Sequence, residues 1–386
     1  MAETATNPLD STHLAVETPV NIDTAIYMLN PDDLPMMGGV NSDGYPLVGR
    51  KPVDQTVFYW LQDEFLVPRT TTAASMADAV GTSVVVAVDQ GERFAAGDLI
   101  LIQNEAMLIT GVSNDTLTVT RGAAGTTAVA HTVIGTEVIG LGTMLAEGAI
   151  GDEQFTGRTK LFNYTKIWTS KISITRTGRA IPKYGMPGGE LPRQTMKVLL
   201  AEGVNMEQTL LYGPRFQSGS VRHTGGLNYF LTTNRIANGV SGDWLTVNQI
   251  EDQQQRVYDA GGMFTDIVGN AGVFGALNNI TSDRISQVEI TDARRGRVRA
   301  TVVVTEFGEV MLHRNRYAKN TDAFGLIPEA ITYRVFQPMV MLPLAKTDDK
   351  DNFMFVAEGG FQVKAERHQV IWTGLNQAGA FPAGLV

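Results

Sequence analysis

RTKLFNYTKIWTSKISITRTGRAIPKYGMPGGELPRQTMKVLLAEGVNMEQTLLYGPR, residues 158–215, joins a long basic β-rich segment to one well-bounded helix. Leu161–Thr177 is rich in β-branched and aromatic residues, which predicts a long strand. Lys160, Lys166, Lys171, Arg176 and Arg179 make it basic. The chain then turns through Gly185, Pro187, Gly188 and Gly189. Pro192 suits a first helical turn, where its missing N–H costs nothing. Met196, Leu199, Leu200, Val204, Leu210 and Leu211 recur with a helical period, and Gly213–Pro214 ends the helix. Glu190 near its start suits the helix dipole.

Upstream, residues 1–20 read as an arm rich in Thr, Pro and Ala. Asn21–Val40 reads as a short helix closed by a turn, and Thr56–Pro68 as a strand stopped by its proline. From Ala77 to Leu141 the composition shifts to Val, Ile, Thr and Gly, with an acidic balance. TSVVVAV, DLILIQ, EAMLITGV, TLTVT and EVIGL are short β runs separated by turn residues. At that density they predict a small β-barrel or sandwich, inserted into sequence of another character. Downstream, Gln217–Asn234 reads as loop, Thr246–Ala260 as a second helix and Asn270–Ile280 as part of a third. Arg299–Phe307 and Glu309–His313 form a predicted hairpin around Gly308. Tyr333–Leu344, Asn352–Glu358 and Gln362–Leu375 read as closing strands.

At 386 residues the chain can bury a sizeable core across two or three domains. Its net charge of −9 argues against a general clamp for nucleic acid. Zero cysteines exclude disulfides, thiol nucleophiles and thiolate metal sites. The polar, acidic N-terminus lacks the pattern of a signal peptide, and no stretch approaches a membrane span, so cytoplasmic synthesis is expected.

The sequence carries few marks of chemistry. The five histidines, His13, His131, His223, His313 and His368, are scattered without a zinc spacing. No P-loop, GxGxxG or GxSxG occurs. Thr347–Asn352 (TDDKDN) lacks the glycine and distant glutamate of a calcium loop and reads as a solvated turn between strands. Arg294, Arg295, Arg297 and Arg299 could meet phosphate, pair with an acidic patch on another subunit, or simply face solvent. The basic strand poses the same choice, and its opposition in charge to the acidic insert favours pairing between proteins. Trp60, Trp168, Trp244 and Trp372 read as packing anchors. No catalytic residue, metal site or cofactor is assigned.

These residues carry a family resemblance. The chain resembles the major capsid proteins of tailed phages with the HK-97-like fold, and more narrowly the family typified by the shell protein of phage SU10. NIDTAIYMLNPDDLPMM resembles that family's N-terminal block, with Leu34 where a threonine is usual. VFYWLQDEFLVP resembles its EWLxDxL strand, with Tyr59 in the acidic place. NYTKIWTSKISITRTGRAIPKYG and the helix after it resemble the return strand and spine helix. Pro343–Leu375 resembles the C-terminal block, including its Leu-Ala-Lys-Thr turn, Glu358 and His368. Within the insert, VTRGAAGTTAVAH (Val119–His131) resembles an RGxxGTxAxxH element of several virion proteins.

The resemblance implies an α+β, HK-97-like fold with an inserted small all-β domain. Residues 1–44 would be the N-terminal arm and 45–180 the extended loop, interrupted by the insert at 77–141. Residues 181–216 would hold the spine helix of the peripheral domain, 217–335 the axial domain, and 336–386 the closing strands. The implied function is structural: the major subunit of an icosahedral head enclosing double-stranded DNA, assembled in the host cytoplasm. Its partners would be its own copies in pentamers and hexamers, a portal, and scaffold or decoration proteins. Packaged DNA would touch it weakly and without sequence preference, and no membrane is involved. A cleaved scaffolding segment is not expected ahead of the arm. Lys160, Lys166, Lys171, Arg176, Arg179, Arg294, Arg295 and Arg297 are the candidate inter-subunit contacts. Rival readings are another virion part or a cytoplasmic enzyme, and oligomer size separates them.

Overall fold

The computed structural model describes residues 34–38, 47–63, 67–76, 83–145, 158–181, 189–237, 244–280, 285–292, 296–346 and 348–376. The arm at residues 1–20 and most of Asn21–Val40 lie outside them; 34–38 form a turn. The chain divides into two units, Leu61–Lys160 and the remainder.

In the larger unit, the basic segment is not one strand. It breaks at Thr165 into Thr159–Tyr164 and Lys166–Thr175, and continues as a short helix, Arg176–Ala180. The break has a cause: Thr165 donates its backbone N–H to Thr56 and its hydroxyl to the Glu358 carboxylate. Thr159–Tyr164 therefore pairs with Val57–Gln62, while Lys166–Thr175 joins a different sheet. Thr175 caps the short helix by accepting from the Gly178 N–H at 3.1 Å.

That second sheet has four strands, in the order Gly49–Pro52, Ile331–Pro343, Lys350–Val363, Lys166–Thr175. The strand predicted at Asn352–Glu358 runs on through Gly359–Gly360 to Val363, whereas the one predicted at Gln362–Leu375 is broken there: Glu366–His368 make a helical turn and Val370–Thr373 is a strand of another sheet. Gly359 and Gly360 serve close packing rather than a turn. A Cβ on Gly359 would lie 2.6 Å from the Arg334 carbonyl oxygen and from the Tyr333 hydroxyl.

The long helix spans Glu190–Tyr212, with Gly189 before it and Gly213 after it. Of the predicted stripe, Leu200, Leu210 and Leu211 are buried. Leu210, Leu211 and Met206 pack with Trp168, Tyr333 and Phe361. Val198 and Leu199 pack on Ile172, Ile174 and Phe355.

A seven-stranded mixed sheet completes this unit: Arg235–Ala237, Val370–Thr373, Ala323–Leu326, Asp266–Gly269, Gly308–Arg314, Gly296–Thr305, Ile285–Asp292. Alternation of side chains along its central strands feeds two cores. Val268, Phe324 and Ile371 face the core that contains the end of the long helix. Ile267, Ala323, Val370 and Trp372 face a second core with Ile250, Val257, Val273 and Leu277. Those last four come from the helices Val247–Asp259 and Ala271–Ile280. Thr246 caps the first of these, accepting from the Gln249 N–H at 3.2 Å. The region expected to be loop, Gln217–Asn234, contains a small hairpin, Phe216–Ser218 with Val221–His223, and one helical turn, Leu227–Phe230.

The smaller unit contains all five predicted β runs, as Ser83–Ala87, Asp98–Ile102, Glu105–Ser113, Thr116–Thr120 and Glu137–Thr143. A sixth strand, Arg69–Thr71, pairs with Glu137–Thr143. Thr72 then bridges to Val88, which closes the six strands into a barrel. Inward residues Val86, Ile100, Ile102, Met107, Ile109, Leu117, Val119 and Val138 fill it. The unit reaches beyond the predicted insert at both ends.

Candidate assembly surfaces

The predicted contact residues fall into several environments. Lys160 and Lys171 are exposed, and Lys171 makes no ion pair among the described residues. Lys166 turns inward. Its Nζ donates to Thr209 Oγ1 at 3.0 Å and lies 5.6 Å from the Trp168 ring centre. Burial pushes its pKa down, opposed by the nearby Glu202 charge. Lys166, Trp168, Glu202, Asn205, Thr209 and His223 line an open cleft of about 530 Å³.

Arg176 and Arg179 find acidic partners in their own chain. Arg176 meets Asp349 at 3.2 Å, and Arg179 meets Asp351 at 2.9 Å. Lys346 joins Asp351 at 2.5 Å. Of the predicted TDDKDN turn, Asp348 and Asp349 form a bend while Lys350–Asn352 open the strand Lys350–Val363, and the pairs tie this acidic end to the end of the return strand. Hydrogen bonds from Lys346 and Arg179 hold the Asp351 carboxyl below its usual range. These pairs are exposed and screened, so they leave the surface able to exchange partners. Arg294 and Arg295 lie outside the described residues. Arg297 lies on the strand Gly296–Thr305.

Exposed apolar residues mark other surfaces. Val340, Met341 and Leu342 are consecutive and exposed where the strand Ile331–Pro343 runs past its core. In the smaller unit Val129, Val133 and Ile134 are 52%, 63% and 64% exposed. Large apolar side chains left in water are interface candidates when they cluster.

Beneath Val129 is a buried ionic network. Glu105 Oε1 accepts from Arg121 Nε at 2.6 Å, and Oε2 accepts from Arg121 Nη2 at 2.6 Å. The N–H groups of Gly122 and Val129 donate to the same carboxylate at 3.1 and 3.0 Å. His131 Nε2 lies 3.0 Å from Oε2, and its Nδ1 lies 3.1 Å from Gln103 Oε1. Burial alone would raise the Glu105 pKa, but the bonds from Arg121, Val129, His131 and Gly122 overcome it and hold the group at about 2. The RGxxGTxAxxH element is thereby explained: Arg121, Gly122 and His131 are ligands of one carboxylate. Gly122 has a φ of +61°, and a Cβ there would lie 3.0 Å from the Thr126 carbonyl oxygen. Thr126 fixes the loop, accepting from Ala106 N–H and donating to the Ala123 carbonyl.

Other buried polar groups act as clasps. Glu207 accepts from the Met36 and Met37 N–H groups and from Asn315 Nδ2, at 3.0, 2.9 and 2.7 Å. Asn163 Nδ2 donates to the Phe361 carbonyl at 2.6 Å, and Glu358 accepts from Thr165 and Arg222. Sequence reasoning missed Glu105, Glu207 and Asn163 as functional groups. Arg121 and His131 were the available signal for Glu105, and a carboxylate on the apolar side of the long helix was the signal for Glu207.

No group of three metal-ligating side chains occurs among the described residues. Among the described residues the other histidines make structural bonds: His313 to Asp266 at 2.6 Å, His223 to the Pro214 carbonyl and His368 to the Ala260 carbonyl; His13 lies outside the described residues.

The family profile of the SU10 major capsid protein matches residues 3–376. The chain belongs to the SU10 major capsid protein family. This major capsid protein has the HK-97-like fold. The capsid of the native GTA particle is 9% identical, covering 96% of this chain and 100% of its own, with a TM-score of 0.52. A chain from Mycobacterium phage Bobi is 10% identical, covering 95% and 99%, with a TM-score of 0.50. The capsid of the empty GTA particle is 9% identical, covering 93% and 96%, with a TM-score of 0.50. No curated protein matches the chain. The SU10-family subunit is a structural, non-enzymatic protein of the virion capsid. Its copies assemble into the multimeric shell of a phage head.

Proposed function

We propose that this subunit builds an icosahedral head around double-stranded DNA, through pentamers and hexamers of its own copies. The observation that carries this reading is the family match across residues 3–376. Assembly takes place in the host cytoplasm, with a portal at one vertex and scaffold or decoration proteins as further partners. Residues 1–44 act as the arm and 45–180 as the extended loop, with its insertion at 77–141. Residues 181–216 form the spine segment, 217–335 the axial domain and 336–386 the closing strands. The negative net charge leaves contact with packaged DNA weak and unspecific.

In this reading the barrel unit sits on the outer face and braces neighbouring subunits, or stands in for a separate decoration protein. A closed barrel with its own core supports that role, because it can be carried as an independent module. Electron microscopy and sedimentation of the purified protein test the main reading: shells or capsomer rings support it, and a monomer under all salt conditions counts against it. Replacing Pro68–Leu145 by a flexible linker tests the brace. Shells should still form but dissociate at lower denaturant; shells of unchanged stability refute the bracing role.

A further inference from the structure

We propose that the loop Gly122–Gly135 is a preformed contact surface for a second copy of this chain in the shell. The inference rests on the bracing role of the barrel unit and assigns it a surface.

Three observations converge on this loop. First, it exposes Val129, Val133 and Ile134, each by more than half. Second, its shape is held from below. Val129 donates its N–H to Glu105, and its carbonyl accepts from Arg121 Nη2. His131 exchanges backbone hydrogen bonds with Met76 at 2.6 and 2.7 Å, and its ring lies against Glu105 and Gln103. Thr136 Oγ1 donates to the Val133 carbonyl at 2.7 Å, and the Gly135 N–H donates to Thr72 at 2.8 Å. Burying an ionic cluster is a poor way to gain stability, since apolar residues of similar volume do as well or better. What the cluster specifies is the conformation of the loop above it. A surface already fixed in shape loses little freedom on docking.

The third observation identifies the occupant. Between Leu61 and Lys160 there are 12 acidic residues and 5 basic ones, which places −7 of the chain's −9 in this unit. Gly122–Gly135 contains no Asp, Glu, Lys or Arg. Copies of an acidic unit repel wherever their charges face each other. They can touch at a surface that is apolar and uncharged, the composition of an interface centre. The chain assembles with itself, so its own copies are the partners held nearest to this loop.

The test uses the full-length chain, which lacks cysteine. V133C, and V85C as an equally exposed control on the strand Ser83–Ala87, are labelled with benzophenone maleimide. Labelled subunits are mixed with an excess of wild type, assembled and irradiated. The expected result is covalent dimers from V133C in shells, none from V133C in dissociated subunits, and none from V85C. In parallel, V133D/I134D shells should dissociate about tenfold faster than wild type, as on loss of an interface hot spot. No dimers from V133C, or dimers equally from V85C, overturn the proposal. So do V133D/I134D shells of wild-type stability, even where the loop then proves to hold another partner. Should the linker replacement of Pro68–Leu145 also leave stability unchanged, the bracing role fails too. Should only the loop variant do so, the loop assignment alone fails.

Discussion

At the scale of single residues, Glu105 shows how a carboxylate can be a ligand centre without chemistry. It accepts from two side chains and two backbone N–H groups, and its pKa is held at about 2, against an ordinary 4.5. A depressed folded-state pKa means that the unfolded chain takes up the proton first. The stabilisation is therefore complete above about pH 4.5, falls as pH drops, and is gone near pH 2. Hydrogen exchange across residues 98–143 as a function of pH should show protection declining through that window. Glu105→Gln should remove the pH slope and destabilise the barrel by about 3–5 kcal/mol at neutral pH, because it leaves the Arg121 charge buried without its counter-charge. An unchanged exchange profile in this variant would show that the network does not hold the loop. Arg121 and His131 were visible in the sequence as parts of a motif. Glu105 was not, because a lone glutamate at the head of an apolar strand carries no mark of the residues that will surround it.

At the scale of elements, close packing sets the limits of substitution. Gly359→Ala would improve local strand propensity, yet its Cβ would meet a backbone carbonyl that cannot move aside. The variant should lose about 1–3 kcal/mol, read as a lower denaturant midpoint of the larger unit. A neutral result would mean that the sheet can shift there. The same glycines mark one misplaced boundary: the sequence reading ended a strand at Glu358 and began the next at Gln362, whereas the strand continues through Gly359–Gly360. Elements with a strong local pattern were legible. The helix Val247–Asp259 lies one residue inside its predicted span at each end, and the five barrel runs are strands. The strands Asp266–Gly269 and Ala323–Leu326 were not foreseen. They are four residues long and buried on both faces, so no polar alternation marks them. The break at Thr165 was hidden for a different reason. It depends on Glu358, 193 residues away in sequence.

At the scale of the whole molecule, charge governs how copies approach. Subunits of net charge −9 repel at low ionic strength. The screening length falls from about 30 Å at 0.01 M salt to about 8 Å at 0.15 M. Assembly followed by light scattering should therefore accelerate over that range. Slower assembly with added salt would point instead to opposite-charge pairing as the main attraction. The exposed pairs of Arg176 and Arg179 with the acidic turn bear on the same question. Because each basic group already has a partner in its own chain, exchanging it for a neighbour's carboxylate changes little in energy, and apolar surfaces must supply more of the cohesion.

The closure of the barrel by the bridge between Thr72 and Val88 has a consequence for the life of the subunit before it joins a shell. A shell protein accumulates in many copies, and an open sheet would offer each newcomer a row of unpaired backbone groups. Such rows template fibrils and tangled dimers. Across the seam, the Thr72–Val88 bridge and the flanking backbone bonds from Ala73 to Ala87 and from Asp89 to Thr71 take up part of that row, so crowded, waiting subunits offer fewer free backbone groups at the barrel for fibre growth.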